Sequence, residues 1–83
     1  MSHVLYFTAD WCNPCQVTRP IAEELRKDGL IDFIFVDVDS EIELLQQFGI
    51  KSVPTFVLIE EGLEVKRMTG AKTRQEMLDF VSV

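Results

Sequence analysis

The 83-residue sequence predicts an α/β fold of order β-α-β-α-β-β-α, a four-stranded mixed sheet flanked by helices. Three observations lead to it. Four apolar stretches of strand length, residues 4–7, 31–38, 56–59 and 63–68, are separated by turn-forming residues. The segments between and after them open on helix-start signals: Pro14, and the boxes Ser40-Glu41-Ile42-Glu43 and Thr73-Arg74-Gln75-Glu76. A hydrophobic content of 47% supplies one core and argues against disorder, so residues 1–83 read as a single small domain.

Each element follows in order. Val4-Leu5-Tyr6-Phe7 is wholly apolar, as a buried strand is, and Thr8-Ala9-Asp10 bounds it. The first helix begins at Asn13 or Pro14, because proline in a first turn gives up no hydrogen bond. Its apolar positions are Val17, Ile21 and Leu25, at four-residue spacing. It ends at Lys27-Asp28-Gly29, with a cation in the last turn and glycine just beyond. Pro20 lies inside it and is expected to kink it. The second strand, residues 31–38, holds Phe33, Ile34, Phe35 and Val36 in succession, which predicts cover on both faces, as in a parallel pair. Strand, helix, strand then makes a right-handed crossover. Ser40 and Glu43 cap a second helix with Ile42, Leu45 and Phe48 on one face and Gly49 at its end. Ser52-Val53-Pro54-Thr55 leads into the third strand. Glu60-Glu61-Gly62 turns it into the fourth, an antiparallel hairpin whose Glu64 and Lys66 suit an exposed edge. After Gly70-Ala71-Lys72, Thr73 opens a last helix with Met77, Phe80 and Val81 inward.

Composition excludes several functions. A net charge of −6, with no cationic cluster beyond Lys66-Arg67, argues against nucleic acid. No apolar run reaches membrane-spanning length, and the start lacks the basic and apolar regions of a signal peptide, so a cytoplasmic protein is expected. Two cysteines cannot staple a secreted mini-domain, and a bridge across two intervening residues closes too small a loop to stabilise much. The cysteines are therefore expected to be chemical.

They sit in Trp11-Cys12-Asn13-Pro14-Cys15, between the first strand and the first helix, where a reversible dithiol is built. Exchange needs a thiolate. Cys12 falls at a helix N-terminus, whose unpaired N–H groups and dipole favour negative charge, so its pKa is expected below the free-thiol value of about 8.5. A lone pair of this kind also fits two ordinary buried residues, or half of a zinc site. Zinc would need two more ligands, and His3 is the only histidine.

Taken together, these residues resemble the thioredoxin family. Those that carry the resemblance are Ala9, Trp11-Cys12, Pro14-Cys15, Pro20, Val53-Pro54-Thr55, Gly62 and Gly70-Ala71, with matching spacings from Phe7 to Phe80. The resemblance implies a thioredoxin-like fold and a protein-disulfide reductase without a bound cofactor or metal, cycling a Cys12–Cys15 dithiol and disulfide. It implies that Cys12 is the nucleophile, Cys15 the resolving thiol, and Asn13, Pro14, Val53 and Pro54 their support, with the Val53–Pro54 bond cis and packed against the disulfide. It implies an apolar groove of Trp11, Val53, Gly70 and Ala71 that receives the target's backbone. It further implies disulfide-containing target proteins such as ribonucleotide reductase, a thioredoxin reductase-like flavoprotein as electron source, and a monomer.

Four departures stand out. Only eleven residues precede Cys12, so the family's leading strand and helix are missing and the sheet has four strands, as in glutaredoxins. Asn13 replaces the usual glycine; its side chain could bond a backbone group or the sulfur. Tyr6, six residues before Cys12, replaces a buried aspartate thought to assist proton transfer at the resolving thiol. Phe35 replaces that aspartate's lysine partner. An apolar pair in place of a buried ion pair is consistent with itself and can be neutral or stabilising. Two other readings stay open: a glutathione-dependent, glutaredoxin-like reductase, and a binding module on the same fold with incidental thiols. Elsewhere, His3 reads as a surface or sheet-edge residue, Glu60, Glu61 and Glu64 as a solvated turn, and Asp10 as a cap or loop support. Lys72 and Arg74 read as solvated surface.

Overall fold

The computed structural model describes residues 2–82, so Met1 and Val83 of the expected 1–83 domain lie outside the described residues. The order is β1 Ser2–Thr8, α1 Asn13–Lys27, β2 Phe33–Asp37, α2 Ile42–Gln47, β3 Thr55–Glu60, β4 Leu63–Thr69 and α3 Arg74–Val81. The strands form one sheet in the order β2-β1-β3-β4. β1 runs parallel to β2, with Val4 opposite Phe33, and antiparallel to β3, with Tyr6 opposite Phe56. β3 and β4 are antiparallel and join through Glu61 and Gly62, both at positive φ, the conformation a two-residue hairpin turn requires. The fold and element order are those the sequence predicts.

Because β1 lies inside the sheet, Val4 to Thr8 are all buried. His3 is half-buried on that inner strand, opposite Ile59, and so lies at neither edge of the sheet. Each face of the sheet carries its own apolar cluster. One gathers Val4, Tyr6, Phe33, Phe56 and Leu58 with Ala22 and Leu25 of α1 and Met77 and Phe80 of α3. The other gathers Leu5, Phe7, Val36, Val57 and Ile59 with Cys12 and Cys15, and receives Leu44, Leu45 and Phe48.

The structure corrects four expectations. The inward face of α1 is Cys15, Thr18, Ala22 and Leu25, not the row containing Val17, which is 69% exposed. Two residues past Cys15 is roughly 200° around a helix, so burying Cys15 turns Val17 outward. Thr18 is tolerated inside because its hydroxyl donates to the Pro14 carbonyl at 2.8 Å. Second, β2 spans Phe33–Asp37, shorter than the expected 31–38, while α1 continues through Pro20 to Lys27. Third, the consecutive apolar run of β2 is not covered on both faces: Ile34 is 45% exposed. β2 is an outer strand, and the half-buried Phe35 ring is screened instead by the guanidinium groups of Arg19 and Arg26, 4.8 and 5.7 Å from its centroid.

Fourth, Ser40 does not cap α2; the N-cap is Glu41, without a side-chain bond. Asp37 organises that turn. Its carboxylate accepts from the Asp39 N–H at 2.9 Å, and its carbonyl accepts from the Ser40 and Glu41 N–H groups. At the other end of α2, Gly49 has positive φ; its N–H donates to the Gln46 carbonyl and that of Ile50 to the Leu45 carbonyl, a Schellman ending.

The second capping box forms as the sequence predicts. Thr73 Oγ1 accepts from the Glu76 N–H at 3.1 Å, and Glu76 Oε1 accepts from the Thr73 N–H at 2.9 Å. Thr73→Ala is expected to cost about 1 kcal/mol. Urea unfolding should show a lower midpoint with an unchanged slope.

Candidate active site

The site forms where β1 runs out and α1 begins. Cys12 and Cys15 are joined as a disulfide, with their Cα atoms 5.2 Å apart. Cys12 is itself the N-cap of α1: its backbone is extended, and its sulfur accepts from the Cys15 N–H at 3.2 Å. A capping position has a free amide aimed at its side chain, and here that side chain is a sulfur. When the disulfide is reduced, this amide and the helix dipole favour charge on Cys12. Asp10 leaves the cap to Cys12 and holds the loop through its carbonyl, which accepts from Gln16 Nε2 at 2.7 Å.

Both cysteines are buried, Cys15 the more completely. Cys12 is 5% exposed and Cys15 is 1% exposed, one turn deeper. The Cys12 sulfur lies 3.6 Å from the Val53 carbonyl oxygen, to which a Cys12 thiol would donate. Pro14 and Asn13 are exposed, and the Asn13 side chain makes no hydrogen bond to the described residues. Val53 is half-buried, the Val53–Pro54 peptide bond is cis, and Pro54 is fully buried. That loop is fixed on both sides: Thr55 Oγ1 donates to the Ser52 carbonyl at 2.7 Å, and the Gly70 N–H donates to the Pro54 carbonyl at 2.9 Å.

Trp11 and Val53 line one hollow of about 250 Å³ with Val38, Asp39, Leu45, Ile50, Lys51 and Ser52. Gly70 and Ala71 are not among its lining residues; Gly70 lies across Pro54 from it, tied by the bond just described. Trp11 is 67% exposed yet fixed, because its indole N–H donates to Asp39 Oδ2 at 2.9 Å. Sequence reading overlooked Asp39, which is 28 positions away. The available signal was the Asp37-Val38-Asp39-Ser40 cluster, a turn at the end of a strand parallel to the one that precedes Trp11.

Tyr6 lies in the other apolar cluster from the cysteines. It is 0% exposed, and its hydroxyl has no hydrogen-bond partner among the described residues. Burial pushes it up from 10.0 to about 12. Such a hydroxyl is neutral throughout the physiological range and is no base for Cys15. No group of three or more His, Cys, Asp or Glu that could hold a metal gathers among the described residues. Nor is any helix among them long and apolar enough to cross a membrane.

Known proteins share this fold. The thioredoxin family profile matches residues 1–83. A thioredoxin H-type from Fagopyrum esculentum is 38% identical over 81 residues, covering 96% of this chain and 69% of the relative. The thioredoxin of Mycobacterium tuberculosis is 36% identical over 78 residues, covering 92% and 67%. Among solved structures, Fasciola hepatica thioredoxin superposes with a TM-score of 0.88 at 34% identity, over 96% of this chain and 77% of that one. A thioredoxin from Nicotiana alata superposes with 0.88 at 34%, over 96% and 70%. The family profile spans the whole chain, relatives above 30% identity cover nearly all of it, and the chain, with its Cys12–Cys15 pair at the head of α1, belongs to the thioredoxin family.

Proposed function

We propose that Cys12 is the attacking sulfur and Cys15 the resolving sulfur of a protein-disulfide reductase. The chain is a thiol-disulfide oxidoreductase of the thioredoxin family, with the Cys12–Cys15 pair as its redox group. The reading of roles rests on one observation: the Cys12 sulfur occupies the N-cap of α1 and accepts the Cys15 N–H at 3.2 Å.

In the reduced protein the Cys12 thiolate attacks one sulfur of a target disulfide. A Cys12–target S–S bond forms, the target S–S bond breaks, and the leaving thiolate takes a proton from water. Cys15 then loses its proton, to water or to the departing thiolate, and attacks the Cys12 sulfur. The Cys12–Cys15 bond forms and the target leaves as a dithiol, two electrons richer. A flavoprotein of the thioredoxin reductase class returns those electrons. Asn13 and Pro14 set the short loop between the sulfurs. Trp11 and Val53 form one side of the target groove, Gly70 and Ala71 the other, with Pro54 between them. We place the protein in the cytoplasm as a monomeric single domain of residues 1–83, with ribonucleotide reductase among its targets and no nucleic acid.

The test is insulin-disulfide reduction driven by NADPH and thioredoxin reductase, and separately by glutathione and glutathione reductase. Turnover is expected in the first system only, and none with Cys12→Ser. Turnover in the glutathione system alone would make the protein glutaredoxin-like. None in either, with an intact fold, would leave a binding module.

A further inference from the structure

We propose that Arg67, on β4, is a positioning residue for protein targets: it fastens the C-terminus of α2 and so holds the wall of the hollow beside Cys12. This rests on the reading of protein disulfides as substrates. Apart from the packing of Leu44 and Leu45 and the Asp37 turn before it, little else secures α2. It has six residues, buries none of them fully, and lacks a side-chain bond at its N-cap. The chain leaving it is the wall itself, since Ile50, Lys51, Ser52 and Val53 line the hollow together with Trp11.

The far end of that wall is fixed at Ser52 and Pro54 by Thr55 and Gly70. At the near end, the Schellman bonds use the Leu45 and Gln46 carbonyls, and the Phe48 carbonyl accepts from Arg67 Nη2 at 2.8 Å. Arg67 reaches it across 19 positions of sequence. Its guanidinium cannot swing freely, because Nε and Nη2 donate to the two carboxylate oxygens of Glu64 at 2.6 and 2.7 Å. Glu64 is exposed, as expected, and is also a partner: the guanidinium beside it holds its carboxyl below the usual range. A cation at a helix C-terminus also meets the negative end of the dipole. Phe48 adds a ring contact, 5.9 Å from Phe7 between centroids.

Releasing this fastening frees the wall without touching either sulfur. A small disulfide needs only the Cys12 sulfur, whereas a protein segment needs the wall as well. The loss should therefore be selective for large substrates.

The test uses reduced full-length protein and follows the emission of Trp11, the only tryptophan. Second-order rates are measured with insulin and with the small aromatic disulfide DTNB. Arg67→Met keeps an apolar stem opposite Val57 but no donor. It is expected to slow insulin by about fivefold to tenfold, while DTNB stays within about twofold. Exchange of the Ile50 amide, which closes the Schellman ending, should accelerate in the same variant. Arg67→Lys, whose ammonium can donate to the Phe48 carbonyl, should recover at least about half of the loss. Unchanged insulin reduction by Arg67→Met, or equal slowing with both substrates, would overturn the proposal. Wild-type protein that reduces DTNB but not insulin would overturn the protein-substrate reading instead.

Discussion

Mixed with insulin or DTNB, reduced Cys15→Ser is expected to stop at a stable mixed disulfide, and Cys12→Ser to form no adduct. Both variants should fall to the turnover measured without protein. The asymmetry follows from position. The Cys12 sulfur caps α1, with the Cys15 N–H directed at it and the Val53 carbonyl 3.6 Å away. Cys15 is 1% exposed, a turn deeper, and meets Cys12 more readily than any target. Removing Cys15 leaves attack intact and removes release. Removing Cys12 leaves a thiol that a folded target cannot reach. Intact mass after mixing distinguishes the two: an adduct on Cys15→Ser, bare protein for Cys12→Ser. The opposite pattern would exchange the roles of the two cysteines.

Tyr6→Asp should be the most destabilising single change near the site, costing at least about 4 kcal/mol. Tyr6 is enclosed by the rings of Phe33, Phe35 and Phe56, at 6.2, 5.5 and 4.8 Å between centroids. A carboxylate there loses those contacts and must be neutralised or left unpaired. A domain of this size has only about 5–15 kcal/mol in total, so urea unfolding should begin at very low denaturant. Tyr6→Phe is the contrast. It deletes a hydroxyl without a partner, so stability at neutral pH should hold or rise by up to about 1 kcal/mol. Turnover should stay within about tenfold, short of the roughly hundredfold or more that loss of an effective acid-base group costs. A larger fall would give the hydroxyl a proton-transfer role.

The same residue sets a pH dependence. The folded state raises Tyr6 from 10.0 to about 12, so it favours the neutral phenol. Its contribution is complete below pH 10 and is lost as pH rises toward 12, by about 3 kcal/mol for a two-unit shift. Wild-type protein should therefore lose more stability than Tyr6→Phe across that window. Tyr6 is the only tyrosine, so tyrosinate absorbance follows it directly.

Local chemistry was the legible part of this molecule. The Thr73 box, the Glu61-Gly62 turn, the ends of α1 and α2 and the placement of the cysteines at a strand-helix junction all follow from residues near one another in sequence. What was not legible depends on which strand lies at the rim. Nothing in Phe33-Ile34-Phe35-Val36 says that β2 is an outer strand, so cover over Ile34 was wrongly expected. The Ser40 box fails because the Asp37 carbonyl, three residues earlier, takes the Ser40 amide that the Glu43 side chain of a box would bond. Trp11 with Asp39 and Arg67 with Phe48 are pairings across 28 and 19 positions, which follow only once the strand order is known.

The two apolar clusters on opposite faces of the sheet have a further consequence. Folding and disulfide formation share one thermodynamic cycle: the difference in folding free energy between oxidised and reduced protein equals the shift in reduction potential that folding imposes. A substitution that weakens both forms alike moves the melting point and leaves the potential where it was. The cluster around Tyr6, Phe33 and Phe56 holds no cysteine, whereas that around Phe7, Val36 and Val57 holds both. Thermal resilience and electron affinity are thus adjustable on separate sides of the same sheet, the first without detuning the second.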